Sequence, residues 1–129
     1  MAFLQGTGGR PTTTKRVGDD AEDAALAHLQ DAGLVMVARN YRTPGRGGGE
    51  IDLVMREPAT GTLVFVEVRR RATGSHGGAG GSITGVKQRR IVFAARHYLS
   101  SLRTLPPCRF DVVLVEARIE WIKGAFDAC

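Results

Sequence analysis

Two stretches of this chain repeat their apolar residues every three or four positions. Several shorter ones alternate, or run apolar like buried strands, with glycine and proline between them. Ala21, Ala25 and Leu29 fall at i, i+4 and i+8 and predict a helix over 17–32, with Asp19 and Asp20 suited to its first turn and Gly33 to its stop. A second helix is predicted over 84–101, where Val86, Ile91, Ala94, Ala95, Tyr98 and Leu102 form an apolar stripe. Its aromatics, Phe93 and Tyr98, are expected in the core. Strands are predicted over 34–39, 50–56, 63–70 and 110–116, with a Pro/Gly loop over 43–49, a turn over 58–61 and a short edge strand over 119–122. The core order α-β-β-β-α-β predicts an α/β fold, a mixed central sheet flanked by helices.

Residues 1–16 are rich in Gly, Thr and basic side chains and read as a flexible arm, leaving 17–129 as one domain. A chain of 129 residues buries roughly two-thirds of its unfolded surface and stands without staples. The segment 72–82 holds Gly74, Gly77, Gly78, Gly80 and Gly81 and is expected to be mobile, too irregular for a phosphate-binding fingerprint.

Charge changes the picture. The formal net charge is +5, and the excess is clustered at Arg10, Lys15 and Arg16, at Arg69, Arg70 and Arg71, and at Lys87, Arg89 and Arg90. Such clusters favour a polyanion, nucleic acid ahead of a membrane surface, although solvated surface charge gives the same composition. Cys108 and Cys129 form no CxxC, so a disulfide framework is not expected. His28, His76 and His97 lack zinc-ligand spacing. No signal-peptide core or membrane-length apolar run is present, and the expectation is a cytoplasmic protein.

Two strings carry candidate chemistry: Gly49-Glu50-Ile51-Asp52 and Val66-Glu67-Val68-Arg69. Charge inside strand-forming apolar runs costs several kcal/mol unless something pairs with it. Alternation puts Glu50, Asp52 and Val54 on one face and Ile51, Leu53 and Met55 on the other. A hairpin through 58–61 lets Asp52 and Glu67 converge on one Mg²⁺ or Mn²⁺, with a backbone carbonyl such as that of Val68 completing the set. That arrangement suits phosphodiester hydrolysis, with Arg69 steadying transition-state charge. The other reading of these acids is structural ion pairing with Arg69 or Arg42. Lys87 and Arg90 are candidate phosphate contacts on one face of the second helix, and Arg42 and Arg71 are further nucleic-acid candidates.

The motifs Gly18, Ala21, Glu22 and Ala25; Arg39-Asn40-Tyr41-Arg42; Gly49-Glu50-Ile51-Asp52-Leu53; Val64 to Arg69 with Arg71; Lys87, Arg90 and Ile91; and Arg109 to Val113 together resemble the YraN family. These are small bacterial proteins, predicted nucleases akin to archaeal Holliday junction resolvases, within the PD-(D/E)XK superfamily. The match spans roughly 17–126. The resemblance implies a restriction-endonuclease-like core and a metal-dependent endonuclease acting on DNA, branched or structured DNA included. It implies a site of Asp52, Glu67 and Arg69, with Glu22 as an additional ligand, and a homodimer, since related resolvases act as two-fold pairs. One departure stands out: the superfamily has lysine where this chain has Arg69. Arginine keeps its charge and can clamp phosphate but cannot serve as a base. Lys87 offers an ammonium from a neighbouring element. The alternatives are a nucleic-acid-binding module with a degenerate site and a protein-interaction adaptor whose acids hold a structural ion.

Overall fold

The computed structural model describes residues 14–45, 47–70, 83–116 and 118–128. The expectations for residues 1–13, for Arg71 and for the glycine-rich 72–82 lie outside the described residues. The elements are α1 (Thr14–Asp31), β1 (Val35–Arg42), β2 (Glu50–Glu57), β3 (Thr62–Arg70), α2 (Gly85–Leu99), β4 (Cys108–Val115) and β5 (Ile119–Phe126). The expected order is present, a restriction-endonuclease-like core with β5 added at one edge. Helix α1 begins inside the segment read as an arm. Asp19 and Asp20 therefore fall in the helix interior rather than its first turn.

The strands lie in sequence order, β1-β2-β3-β4-β5. β1–β2, β2–β3 and β4–β5 pair antiparallel, whereas β3–β4 is parallel, with α2 making the crossover such a pair requires. Gly61, at φ 76, closes the β2–β3 hairpin, its N–H donating to the Glu57 carbonyl at 2.8 Å.

Alternation along the strands feeds two cores. Leu53, Met55, Val64, Val66 and Val113 meet Ala21, Ala25 and Leu29 of α1 on one face. Ile51, Val54, Leu63, Phe65 and Phe110 meet Ile91, Ala94 and Ala95 of α2 on the other. Each fully buried Leu, Val, Ile or Phe contributes about 1.5–3 kcal/mol, so the sheet between the helices is the rigid part of the molecule. Small residues on both helices let them sit close to it. Gly49 shows how close: a Cβ there would lie 1.9 Å from the Arg90 carbonyl oxygen of α2. That contact docks the N-terminal half of α2 against the start of β2.

Some expectations are corrected. Val86 and Phe93 of α2 are 59% and 53% exposed rather than core. Tyr98 packs edge-on against Tyr41 and Phe65 as expected. Asn40 lies inside β1 at φ 54. Cys108 is disulfide-bonded, contrary to the expectation from cysteine count; the other cysteine, Cys129, is outside the described residues.

Replacing Gly49 by alanine is expected to cost about 1–3 kcal/mol, as overpacking against backbone does. Urea denaturation checks this. An unchanged midpoint would show that α2 can retreat from β2 without penalty.

Candidate active site

Pairing of β2 with β3 runs from Glu57↔Thr62 to Leu53↔Val66 and goes no further. One more step of that register would set Asp52 opposite Glu67, so the ladder ends at the acid pair. Separated strands leave backbone donors needing partners. Here the Val68 N–H donates to Asp52 Oδ2 at 2.8 Å. The sequence expectation had Val68 contributing its carbonyl; its amide is the group that Asp52 meets.

The expected alternation of β2 fails at this point. Ile51 packs with Val54 on the α2 side, while Leu53 and Met55 pack on the α1 side. The same slip occurs in β1, where Ala38 and Tyr41 both pack on the α2 side. Register places Asn40, with its left-handed φ of 54, between the pairs Arg39↔Leu53 and Tyr41↔Ile51, beside Asp52. The two strands change pleat together, and Asp52 reaches sideways to β3 instead of standing off one face. Left-handed asparagine is sparsely populated and tends to persist where surrounding structure enforces it.

Glu67 is buried, and the Lys87 ammonium lies 3.2 Å from its Oε2. Lys87 reaches it from the first turn of α2, where the Thr84 hydroxyl caps the helix by accepting from the Lys87 N–H at 3.1 Å. Arg69, two residues along β3 and half-buried, adds positive potential at Glu67.

Burial and the Glu67 carboxylate beside it push Asp52 up to about 7. Burial also raises Glu67, opposed by Lys87 and Arg69. The contact between the two acids raises Asp52 and lowers Glu67, the direction that favours a proton on Asp52. The two acids therefore behave as one unit sharing a proton near neutrality. A desolvated acid pair is the donor set that a hard divalent cation satisfies by displacing that proton.

The remaining candidates are distributed around this pair. Glu22 projects from α1, and its Oε1 accepts from Arg39 Nε at 3.3 Å, while Arg39 Nη2 meets Asp23 at 2.8 Å. Among the described residues, no group of three His, Cys, Asp or Glu side chains is placed to hold a metal. Arg42 lies 3.7 Å from Glu50, so the alternative pairing of Arg42 with Asp52 or Glu67 is replaced by one with Glu50. Arg90 Nε donates to the Gly48 carbonyl at 3.4 Å. Arg42 and Arg90 rim a polar notch of about 200 Å³ floored by Gly47, Gly48 and Gly49. Asp111 is fully buried and accepts from Arg109, Trp121 Nε1 and the Gly124 N–H. It ties β5 to β4.

Sequence reasoning missed three supporting groups. Asn40 carried no signal beyond its residue type. Gly49 was flagged only by the glycine run preceding Glu50. Thr84, three residues before Lys87, was a legible helix cap that sequence reasoning placed inside the helix.

The sequence profile described as "Uncharacterised protein family UPF0102" matches residues 21–115. The chain is 66% identical over 118 residues to the UPF0102 protein of Albidiferax ferrireducens, covering 91% of each. It is 64% identical over 129 residues to that of Polaromonas naphthalenivorans, covering 92% of this chain and 84% of the relative. It is 59% identical over 144 residues to that of Verminephrobacter eiseniae, covering 99% of both. The chain belongs to the UPF0102 family, in agreement with the motif resemblance.

The acid pair sets a pH dependence. Folding raises Asp52 above its ordinary 3.8, so ionising it costs stability that is absent in acid, grows as pH rises from about 4, and is complete above about 7. Asn keeps an acceptor for the Val68 N–H without the charge. Asp52→Asn is therefore expected to stabilise the metal-free protein at pH 8 by on the order of 1–3 kcal/mol, with the gain fading toward pH 4. Urea midpoints at both pH values check it. A variant less stable than the parent at pH 8 would contradict a strained, desolvated pair.

Proposed function

We propose that this protein is a Mg²⁺- or Mn²⁺-dependent endonuclease that hydrolyses phosphodiester bonds in DNA, with branched or structured DNA as its expected substrate. The observation that carries this reading is the desolvated acid pair Asp52–Glu67 where the β2–β3 ladder ends. Structural ion pairs would give each acid its own cation. Here the Lys87 ammonium meets Glu67, and the Val68 backbone amide meets Asp52.

In this reading Asp52 and Glu67 are the metal ligands. A bound divalent cation would supply Lewis acidity and a water of lowered pKa. With a cation held by the two acids, Lys87, which meets Glu67 in this structure, would be free to contact the scissile phosphate, and Arg69 adds fixed positive charge that arginine retains at any working pH. Glu22 is the proposed additional ligand, on the strength of the family resemblance. Its pairing with Arg39 makes that role conditional on Arg39 turning toward phosphate. Arg42 and Arg90, with Arg71, contact the nucleic-acid backbone. A DNA substrate places the protein in the cytoplasm. No helix among the described residues is long and apolar enough to cross a membrane. A two-fold dimer would present paired sites to the two strands of a junction.

A second reading, a nucleic-acid-binding module without cleavage, is favoured by Arg69 in the lysine position and by the convergence of only two carboxylates among the described residues. The two readings diverge in one experiment. Incubated with Mn²⁺ and branched, nicked or plasmid DNA, the parent is expected to yield products that EDTA abolishes. Asp52→Asn and Glu67→Gln are expected to bind but to cut roughly 100-fold less or worse. Salt-sensitive binding with no metal-dependent product would establish the second reading instead. Within the first, Arg69→Lys is expected to maintain or raise the cleavage rate, and a large loss would identify Arg69 as a specific phosphate clamp.

A further inference from the structure

Helix α2 reads Gly85-Val-Lys-Gln-Arg-Arg-Ile-Val-Phe-Ala-Ala-Arg-His-Tyr-Leu99, with four cations and no acid. Its buried side is ordinary, with Ile91, Ala94 and Ala95 against the sheet. Its solvent side is not. Arg89, Phe93 and Arg96 fall at i, i+4 and i+7, all exposed, so an aromatic ring stands between two guanidinium groups. An exposed phenylalanine does nothing for the core beneath it. Beside this stripe, between α2 and the end of β5, lies an open notch of about 490 Å³ lined by Arg89, Val92, Phe93, Arg96, Phe126 and Asp127 among others. Phe126 is anchored from behind by stacking on Phe110, with centroids 4.9 Å apart. The notch is thus walled by two aromatics, edged by two arginines, and carries one carboxylate on its rim.

We propose that this notch receives an unpaired nucleobase of a nucleic-acid strand, stacked on Phe93, with the flanking phosphates held by Arg89 and Arg96. Base faces are hidden within a duplex and available only where a strand is single or splayed, and every base offers a π-face to such a ring. Arg89 and Arg96 lie seven residues apart on α2, about 10 Å along its axis. Asp127, exposed on the rim, repels phosphate but accepts from a base amino group. Lys87, six residues before Phe93 and about 9 Å from it along the helix axis, leads back to Glu67. A second copy of this chain is a poor occupant, because a two-fold contact here would bring together two helices carrying four cations each and no acid. The inference takes its ligand class from the proposed nucleic-acid reading, but it does not require cleavage.

The test uses the full chain in EDTA, so that no bond is cut, and DNA of equal length as blunt duplex and as a duplex with a single-stranded flap. A fluorescent purine analogue sits at the unpaired position. The expected result is quenching of the analogue on binding and tighter binding of the flap. Phe93→Ala should lower flap affinity at least about fivefold with duplex affinity unchanged, and Phe93→Trp should retain it. Arg89→Gln and Arg96→Gln should each weaken both and reduce the salt slope by about one. Phe93 is exposed, so the variants fold, and a circular-dichroism melt verifies it. Equal losses on flap and duplex, or no loss, would overturn the proposal. So would a parent dimer that Phe93→Ala dissociates in sedimentation, since the face would then belong to a second copy. Quenching and flap preference without Mn²⁺-dependent products would sink the nuclease reading and leave this one standing. Products from a protein whose flap preference ignores Phe93 would do the reverse.

Discussion

The structure turns on two carboxylates held where water is scarce. Asp52 and Glu67 come from neighbouring strands, at the step where those strands stop exchanging backbone hydrogen bonds. Burial penalises ionisation of both, Glu67 raises Asp52 further, and the Lys87 ammonium lies against Glu67. A fold selected for stability alone would replace such a pair by apolar side chains of similar volume, at no loss and often a gain. The proposed cation site rests on this pair at the end of an otherwise apolar hairpin.

The rest of the molecule keeps that pair in place. The sheet is packed on both faces, so β2 and β3 cannot relax toward one another without disturbing the α1 and α2 cores. Gly49 allows α2 to approach β2 at backbone contact, and the Thr84 cap sets the turn from which Lys87 reaches Glu67. On the opposite edge, buried Asp111 gathers Arg109, Trp121 and Gly124 and fixes β5. That in turn shapes the notch at its end, where Phe126 leans on Phe110.

Cation placement gives this architecture a direction. Lys87 stands at the acid pair, Arg90 and Arg42 at the glycine loop, and Arg89 and Arg96 along the outer side of α2. Four of the chain's 18 lysines and arginines thus lie along one helix that starts beside the site. A polyanion aligned with α2 would meet it over its whole length, and such contacts position a strand without reading its sequence.

Element identity and order were legible from the chain because they follow from local periodicity: 3.6 for the two helices, two for the strands, with glycine and proline marking the breaks. The acid pair was legible for a similar reason, since charge in a strand-forming run is locally conspicuous. Tertiary structure alone decided the pleat slip at Asn40 and Asp52, the reach of Asp52 to the Val68 amide, and the pairings of Glu22 with Arg39 and Glu67 with Lys87. It also decided that Phe93 faces water, although the stripe through Ile91 and Ala94 gave every local reason to expect it inside. Periodicity reports which residues share a face. Which faces are covered, and by what, depends on contacts between residues far apart in the chain.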